Sequence, residues 1–306
     1  MALVYYRKSK TIAKGRWFGK TLAQLSLELG PGAVCSGDPN HIVTNHDVIE
    51  YSVHMHEPPA PDPPFQLITQ TAKYVVIDKA SGIPTHPSVN YFHNSITEKL
   101  KPQFGNLFPC YRLDRLTSGV LILAKDAANA REFQNLDKSK VYYARVRGNF
   151  PEKRTLDWPI LHYNAKRGYK DFMTQYRQMK DASTIVSPEY YSASLDQTLV
   201  KCEPLTGRTH QIRRHLALAG HPIVNDELYT DGHYKQLYDS PCAANFEAAM
   251  ASLEHRKNNK ATDNVCDECG ATIYKQDLEQ IWLHCSTYYL EGESFFASNP
   301  PWICFD

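Results

Sequence analysis

With 306 residues, 42% of them hydrophobic, and a formal net charge of only +1, the chain has the composition of one large or two modest globular domains with a sizeable core. That balance argues against a generally basic protein that coats nucleic acid, and no apolar run approaches the roughly 20 residues of a membrane-spanning helix, so a soluble chain is expected. Charge is instead unevenly placed. The first twenty residues hold six basic side chains (Arg7, Lys8, Lys10, Lys14, Arg16, Lys20) and no acidic one, a start that a transit peptide could share, although it has no clear amphipathic pattern. Residues 201–215 carry four Lys/Arg against Glu203 alone, whereas residues 226–270 set nine Asp/Glu against four Lys/Arg. A basic surface beside an acidic region follows, and phosphate binding depends on such a local field. Eight cysteines lie scattered without a secretory signal, so a disulfide framework is not expected and a reducing compartment is.

Residues 1–58 form a first segment, closed by the proline-rich run PPAPDPP at 58–64, which resists helix and central strand and makes 59–66 a stiff linker. A second segment, 67–306, opens with a strand at 74–77 and a turn near Gly82 and Pro84. Ser95 and Glu98 have capping-box spacing for a helix through Leu100. Residues 120–124 are an apolar run of strand length, 127–136 a short helix, and 140–147 alternate as a strand. A strand at 199–202 ends in the Thr206-Gly207 turn. Beyond it Ile212, Leu216 and Ala219 recur at helical spacing, with Gly220 as the stop. Strands outnumber helices, which predicts an α+β fold with a large mixed, mostly antiparallel sheet flanked by helices. Residues 232–280 are polar, show no usable period, and are expected to be an insertion.

Two runs carry chemistry. Tyr111-Arg112-Leu113-Asp114-Arg115-Leu116-Thr117-Ser118-Gly119 sets one carboxylate between two arginines, just before a strand of buried type. Flanking cations favour the ionised form of Asp114, a potential nucleophile, and Thr117, Ser118 and Gly119 suit a tight turn. Taken alone, a structural aspartate held by its arginines is the plainer explanation. Thr206-Gly207-Arg208-Thr209-His210-Gln211-Ile212-Arg213-Arg214-His215 feeds a turn into a helix start, where anions are favoured, and His210 and Arg214 share a helix face. By itself this run is equally an ordinary capped, solvated helix start.

In this order and spacing the two runs together resemble the paired signatures of RluA-type RNA pseudouridine synthases, an arginine-leucine-aspartate loop and a later threonine-glycine-arginine-threonine-histidine-glutamine turn. The resemblance extends to Asp78-Lys79-Ala80-Ser81-Gly82-Ile83-Pro84, Lys140-Val141-Tyr142-Tyr143-Ala144, Gly220-His221-Pro222-Ile223-Val224-Asn225-Asp226 and Trp282-Leu283-His284. It covers 68–300 apart from weak stretches at 150–190 and 232–275. Tyr111 stands where many relatives carry histidine, and Ala80 where proline is usual. In the first segment, Lys14-Gly15-Arg16-Trp17-Phe18-Gly19-Lys20 and His54-x-His56-Glu57-Pro58-Pro59 resemble the eukaryotic branch that acts on transfer and messenger RNA. That branch carries an S4-like leader, which here, at 1–58, lacks the usual basic turn and valine-asparagine strand.

The resemblance implies isomerisation of uridine in RNA to pseudouridine after base flipping, with no cofactor and no catalytic metal. It assigns Asp114 as the nucleophile, attacking ribose C1′ or uracil C6, Arg208 as its ion-pair partner, and Tyr142 as a residue that stacks on the base and helps remove the C5 proton. Arg112 would fill the space the base vacates, and Arg115, Arg213 and Arg214 would contact the RNA backbone. Thr117, Gly119, Thr209, His210, Gln211 and Ile212 would support the site. The expected partner is RNA, transfer RNA first and position 32 as the branch suggests, with messenger or ribosomal RNA as alternatives. A cytoplasmic monomer is expected, with nucleus or mitochondrion as the other compartments.

Cys266-Asp-Glu-Cys269-Gly has the spacing of half a zinc knuckle. A full site needs two more ligands, with Cys242 and His255 or Cys285 as candidates, and unligated surface cysteines are the plainer explanation. Two other function classes fit parts of the chain. An inactive RNA-binding protein on the same scaffold would have no reason to keep Asp114, Tyr142 and Arg208 together. A carboxylate-nucleophile glycosidase needs a second carboxylate near the first, and none stands out beside Asp114.

Overall fold

The computed structural model describes residues 3–30, 32–88, 91–160, 179–259, 261–274 and 280–305. The chain divides into two compact units, one of Met1–Ala60, Ser88–Asn94 and Lys257–Asp277, the other of Pro61–Pro87, Ser95–Arg256 and Leu278–Asp306. The division after Ala60 falls inside the proline-rich run, where ring-locked backbone and missing amide donors stop any element from crossing.

In the smaller unit, β1 (Leu3–Ile12) pairs antiparallel with β3 (Val48–Glu57) along its whole length, and β2 (Val34–Cys35) pairs with the other edge of β3. The basic start of the chain is therefore a sheet strand. Helix α1 (Leu22–Leu29) opens on a reciprocal capping box between Thr21 and Gln24 and packs Leu22 and Leu25 against Trp17, Val43 and Ile49. Trp17, from the lysine-glycine-arginine-tryptophan run, is a core residue with Lys14 and Arg16 over its ring. Glu57 is buried and accepts the amides of Phe92, His93 and Asn94 at 2.8–2.9 Å and the Tyr5 hydroxyl at 2.6 Å, which ties the 88–94 segment to β3.

The larger unit is built on one sheet. Its strands are β4 (Gln66–Gln70), β5 (Tyr74–Lys79), β6 (Phe108–Pro109), β7 (Ser118–Ala124), β8 (Lys138–Arg147), β9 (Arg154–Leu156), β10 (Thr184–Ser192), β11 (Gln197–Pro204), β14 (Leu283–Leu290) and β15 (Glu293–Phe296). Their order is β4-β5-β7-β14-β8-β11-β10-β9, with β6 on β7 and β15 on β14. Among the described residues β7–β14 is the parallel pair and the other pairs are antiparallel, which is the mixed, mostly antiparallel sheet expected. Residues Val120–Ala124 are completely buried, which is why the central β7 reads as a continuous apolar run rather than an alternation. Helices α2 (Ile96–Phe104), α3 (Ala127–Glu132) and α4 (Gln211–Leu218) accompany the sheet.

The stretch 232–280 is not irregular. Its described part holds α5 (His233–Asp239), α6 (Ala243–Asn259) and a hairpin of β12 (Ala261–Val265) and β13 (Thr272–Tyr274), and the hairpin belongs to the smaller unit.

Candidate active site

The loop that carries Asp114 is fixed from below by the segment that follows β5. The Thr85 hydroxyl donates to the Leu113 carbonyl at 3.0 Å and accepts the Leu113 amide at 3.3 Å. Lys79, at the inner end of β5 and fully buried, donates to the carbonyls of Ala80, Ile83 and Arg115 at 2.9, 2.8 and 3.2 Å. Three acceptors match the three donors of an ammonium group, and Asp114 favours that charge, while burial pulls the Lys79 pKa down to about 7. The Thr117 amide donates to the Asp114 carbonyl at 3.1 Å, closing a tight turn, and Gly119 then enters β7 beside β14. A Cβ on Gly119 would lie 2.2 Å from the Cys285 carbonyl oxygen, so only glycine, here at φ +109°, lets the parallel pair close.

Asp114 itself keeps 28% of its side chain exposed and meets the start of α4. The Arg213 guanidinium is 3.5 Å from Oδ2, and His210 Nε2 is 3.7 Å from Oδ1. Arg213 is locked by a two-pronged pair to the buried Asp226, at 2.6 and 2.8 Å. Burial works against its charge, but the hydrogen bonds and charge of Asp226 outweigh it and hold Arg213 more firmly protonated than usual. His210 adopts left-handed backbone (φ +54°) just before α4, and burial lowers its pKa to about 4 against the opposing pull of Asp114. The Tyr229 hydroxyl accepts from Arg214 Nε at 2.9 Å and lies 2.9 Å from His210 Nδ1. Donation of the Tyr229 hydroxyl proton to Nδ1 is the arrangement that puts the proton of the neutral imidazole on Nε2, facing Asp114.

Tyr142 lies on β8, buried, opposite Cys285 in the β8–β14 register. Burial, the Cys285 thiol and Asp114 all push its pKa upward, so its phenol is neutral at rest. Tyr111 belongs to the core instead, its hydroxyl donating to Val120 at 2.6 Å and its ring stacked on Tyr288 at 4.7 Å.

Several sequence expectations are corrected here. Arg208 does not pair with Asp114. It sits exposed in the turn before α4, and its Nε donates to the Asp181 carbonyl at 3.0 Å. His210 and Arg213, three residues apart, share the face that Asp114 meets. Arg213 and Arg214, expected at the RNA backbone, are both buried, and Arg214 lies over the rings of Tyr229 and Tyr234. Arg112 is exposed and Arg115 half-buried. Gln211 is buried and clasps its turn, its side-chain oxygen accepting from Thr206 and the Arg208 amide and its nitrogen donating to Ser183 and Thr184. Ile212 is a core residue, and Thr209 is exposed. Lys79, Asp226 and Tyr229 lie in or beside runs that carry the family resemblance, but the sequence assigned none of them a role in the site. Cys266 and Cys269 lie in the β12–β13 turn of the smaller unit, whereas Cys242, His255 and Cys285 belong to the larger one.

The sequence pattern of the family described as RNA pseudouridylate synthase matches residues 73–218, which span both the Asp114 loop and α4. The chain is also 34% identical to the tRNA pseudouridine(31) synthase of Saccharomyces cerevisiae, over 99% of this chain and 95% of that protein. The chain belongs to the RluA-type RNA pseudouridine synthases. Two further relatives of this isomerase are RNA pseudouridine synthase 7 of Arabidopsis thaliana and the mitochondrial tRNA pseudouridine(32) synthase of Saccharomyces cerevisiae. They are 31% and 34% identical, over 97% and 93% of this chain and 85% and 70% of theirs. The solved structure of Human RNA Pseudouridylate Synthase Domain Containing 4 shares the fold, with a TM-score of 0.51 at 23% identity over 78% of this chain and 90% of that one. Among the described residues no helix is long and apolar enough to cross a membrane.

Proposed function

We propose that this synthase isomerises a uridine of transfer RNA to pseudouridine with Asp114 as the nucleophile. The observation that carries the reading is a part-exposed carboxylate set between a buried, fixed cation, Arg213, and a neutral imidazole, His210. Asp114 adds to ribose C1′ or uracil C6, the N1–C1′ bond breaks, the base turns, C5 bonds to C1′, and the bond to Asp114 is released, the C5 proton leaving while N1 gains one. Nothing is oxidised and no group enters, so the chemistry calls for no cofactor. Arg213 supplies the positive charge and a donor that orient the carboxylate, with the neutral His210 beside it. Tyr142 stacks against the uracil as a phenol. Once Asp114 is bonded to substrate its charge is gone, which removes one of the causes that keep Tyr142 protonated and favours its taking up the C5 proton.

Flipping the uridine out costs a few kcal/mol, and the exposed planar group of Arg112 suits the space left in the stack. Arg115, in the Asp114 loop, and the exposed Arg208, in the turn before α4, would contact the backbone of the bound strand. Transfer RNA as substrate is supported by the relatives named for its positions 31 and 32. Incubating the purified chain with transfer RNA transcripts and mapping pseudouridine base by base tests this. Modification at position 31 or 32 is expected. Activity on ribosomal RNA with none on any transfer RNA overturns the substrate, and full activity of Asp114→Asn overturns the nucleophile.

A further inference from the structure

We propose that His54, His56, Cys266 and Cys269 form a structural zinc site in the smaller unit, separate from the chemistry at Asp114. The four ligand atoms lie within 4.8 Å of one another, with Cys269 Sγ 3.2 Å from His56 Nε2 and Cys266 Sγ 3.8 Å from His54 Nδ1. Zinc bonds of about 2.3 Å to sulfur and 2.0–2.1 Å to nitrogen in a tetrahedron put neighbouring sulfur and nitrogen ligands about 3.5 Å apart, between the two distances seen. Two thiolates and two imidazoles are a donor set that selects zinc over oxygen-seeking cations.

Each half of the site follows from its local backbone. His54 and His56 are two apart on β3, and side chains two apart in a strand project from the same face. Cys266 and Cys269 occupy the six-residue turn between β12 and β13, which the Cys266 amide to the Ala271 carbonyl (2.9 Å) and the Gly270 amide to the Cys266 carbonyl (2.7 Å) fold tightly, with Gly270 at φ +67°.

His54 Nε2, the nitrogen turned away from the cysteines, is 3.5 Å from the Glu268 carboxylate. That carboxylate also accepts from the hydroxyl of Tyr6, whose ring stacks on His54 at 4.7 Å from its place directly across the β1–β3 ladder. Metal-bound imidazoles commonly donate their other nitrogen to such a carboxylate. Gly32 leaves no slack on the other side: a Cβ there would lie 2.7 Å from the Cys269 Cβ and 3.2 Å from the His54 Cβ. The site would clip the distant 257–277 segment to the β1–β3 sheet, metal binding and local folding being one equilibrium.

Metal analysis of the full-length protein, purified without chelators, tests the proposal. About one zinc per chain is expected, falling to none in the Cys266→Ser/Cys269→Ser double variant and kept in His54→Cys, which replaces one ligand by another. Cobalt exchanged into the wild-type chain gives a reading free of any folding defect in the variants. Intense tetrahedral ligand-field bands together with thiolate-to-cobalt charge transfer support the site. A zinc-free wild type, equal zinc in the double variant, a Cys266–Cys269 disulfide in the protein purified anaerobically, or a weak octahedral cobalt spectrum overturns it.

Discussion

A carboxylate proposed as a nucleophile has to be reachable and yet held, and at Asp114 the two requirements are divided between neighbours. Arg213 gives it a counter-charge that cannot swing away, because Asp226 grips the same guanidinium with two short bonds. Arg213→Lys keeps a charge but loses the fork. It is expected to cut kcat by at least about tenfold and to cost about 2 kcal/mol of stability by leaving Asp226 poorly paired. Arg208→Ala is expected to leave kcat within about twofold and to act on KM, as the loss of an exposed contact does. Single-turnover assays on one transcript compare the pair, and a large kcat loss at Arg208 with none at Arg213 contradicts the geometry. Both arginines stood in one readable run. Which of them meets Asp114 depends on how α4 is rotated against the Asp114 loop, a tertiary fact that spacing does not carry.

The same scale gives a pH dependence. Burial lowers the pKa of His210 and of His284 to about 4, so both are neutral in the folded chain and charge near 6.5 when it unfolds. The unfolded state therefore binds more protons between pH 6.5 and 4, and stability falls as pH drops through that window. The loss from His284, whose Nδ1 is 2.9 Å from the Ser118 hydroxyl, is about 3 kcal/mol at most. Urea midpoints measured from pH 7 to 4.5 should fall, and His284→Gln should flatten the slope; an unchanged slope contradicts a neutral, buried His284.

Among the elements, β7 and β14 carry the site, since their parallel contact places Gly119 and the Asp114 loop beside Cys285. Gly119→Ala puts a methyl into the β14 backbone at a left-handed φ, and a loss of more than about 3 kcal/mol is expected, read as a collapse in soluble yield and Tm. Wild-type Tm in that variant contradicts the close approach. The two strands differed in how well they could be read. In β7 an unbroken apolar run announces burial on both faces. In β14 the buried residues include His284, Ser286 and Thr287, polar side chains kept inside by specific partners, and such a run lacks the hydrophobic period of a strand. The stretch 232–280 failed for a related reason. Its longest helix, α6, is rich in polar and small residues, and its apolar face is short, with Phe246, Ala249 and Met250 against Leu237.

For the whole molecule, the order of motifs along the chain made the family legible, because Asp114, Tyr142 and the α4 turn come from three elements that the sheet brings to one place. The smaller unit was legible only in part: the histidines of the histidine-x-histidine-glutamate run and the cysteines of the Cys-x-x-Cys pair that they meet are 212 and 213 residues apart in sequence, and nothing in their spacing joins them. Glu57, the third member of the first run, binds three amides of the 88–94 segment, and Glu57→Gln is expected to destabilise the smaller unit by about 2–4 kcal/mol. Hydrogen exchange should then speed up at those amides while β7 stays protected; unchanged exchange at 92–94 contradicts the role.

Asp114 is proposed to open a uridine-to-pseudouridine isomerisation, and tritium release from transfer RNA labelled at uridine C5 reads that reaction directly. The wild-type chain is expected to release tritium in step with the pseudouridine formed, and Asp114→Ala to release it at least about a thousandfold more slowly while still binding the RNA. Equal release by the two proteins rules out Asp114 as the nucleophile.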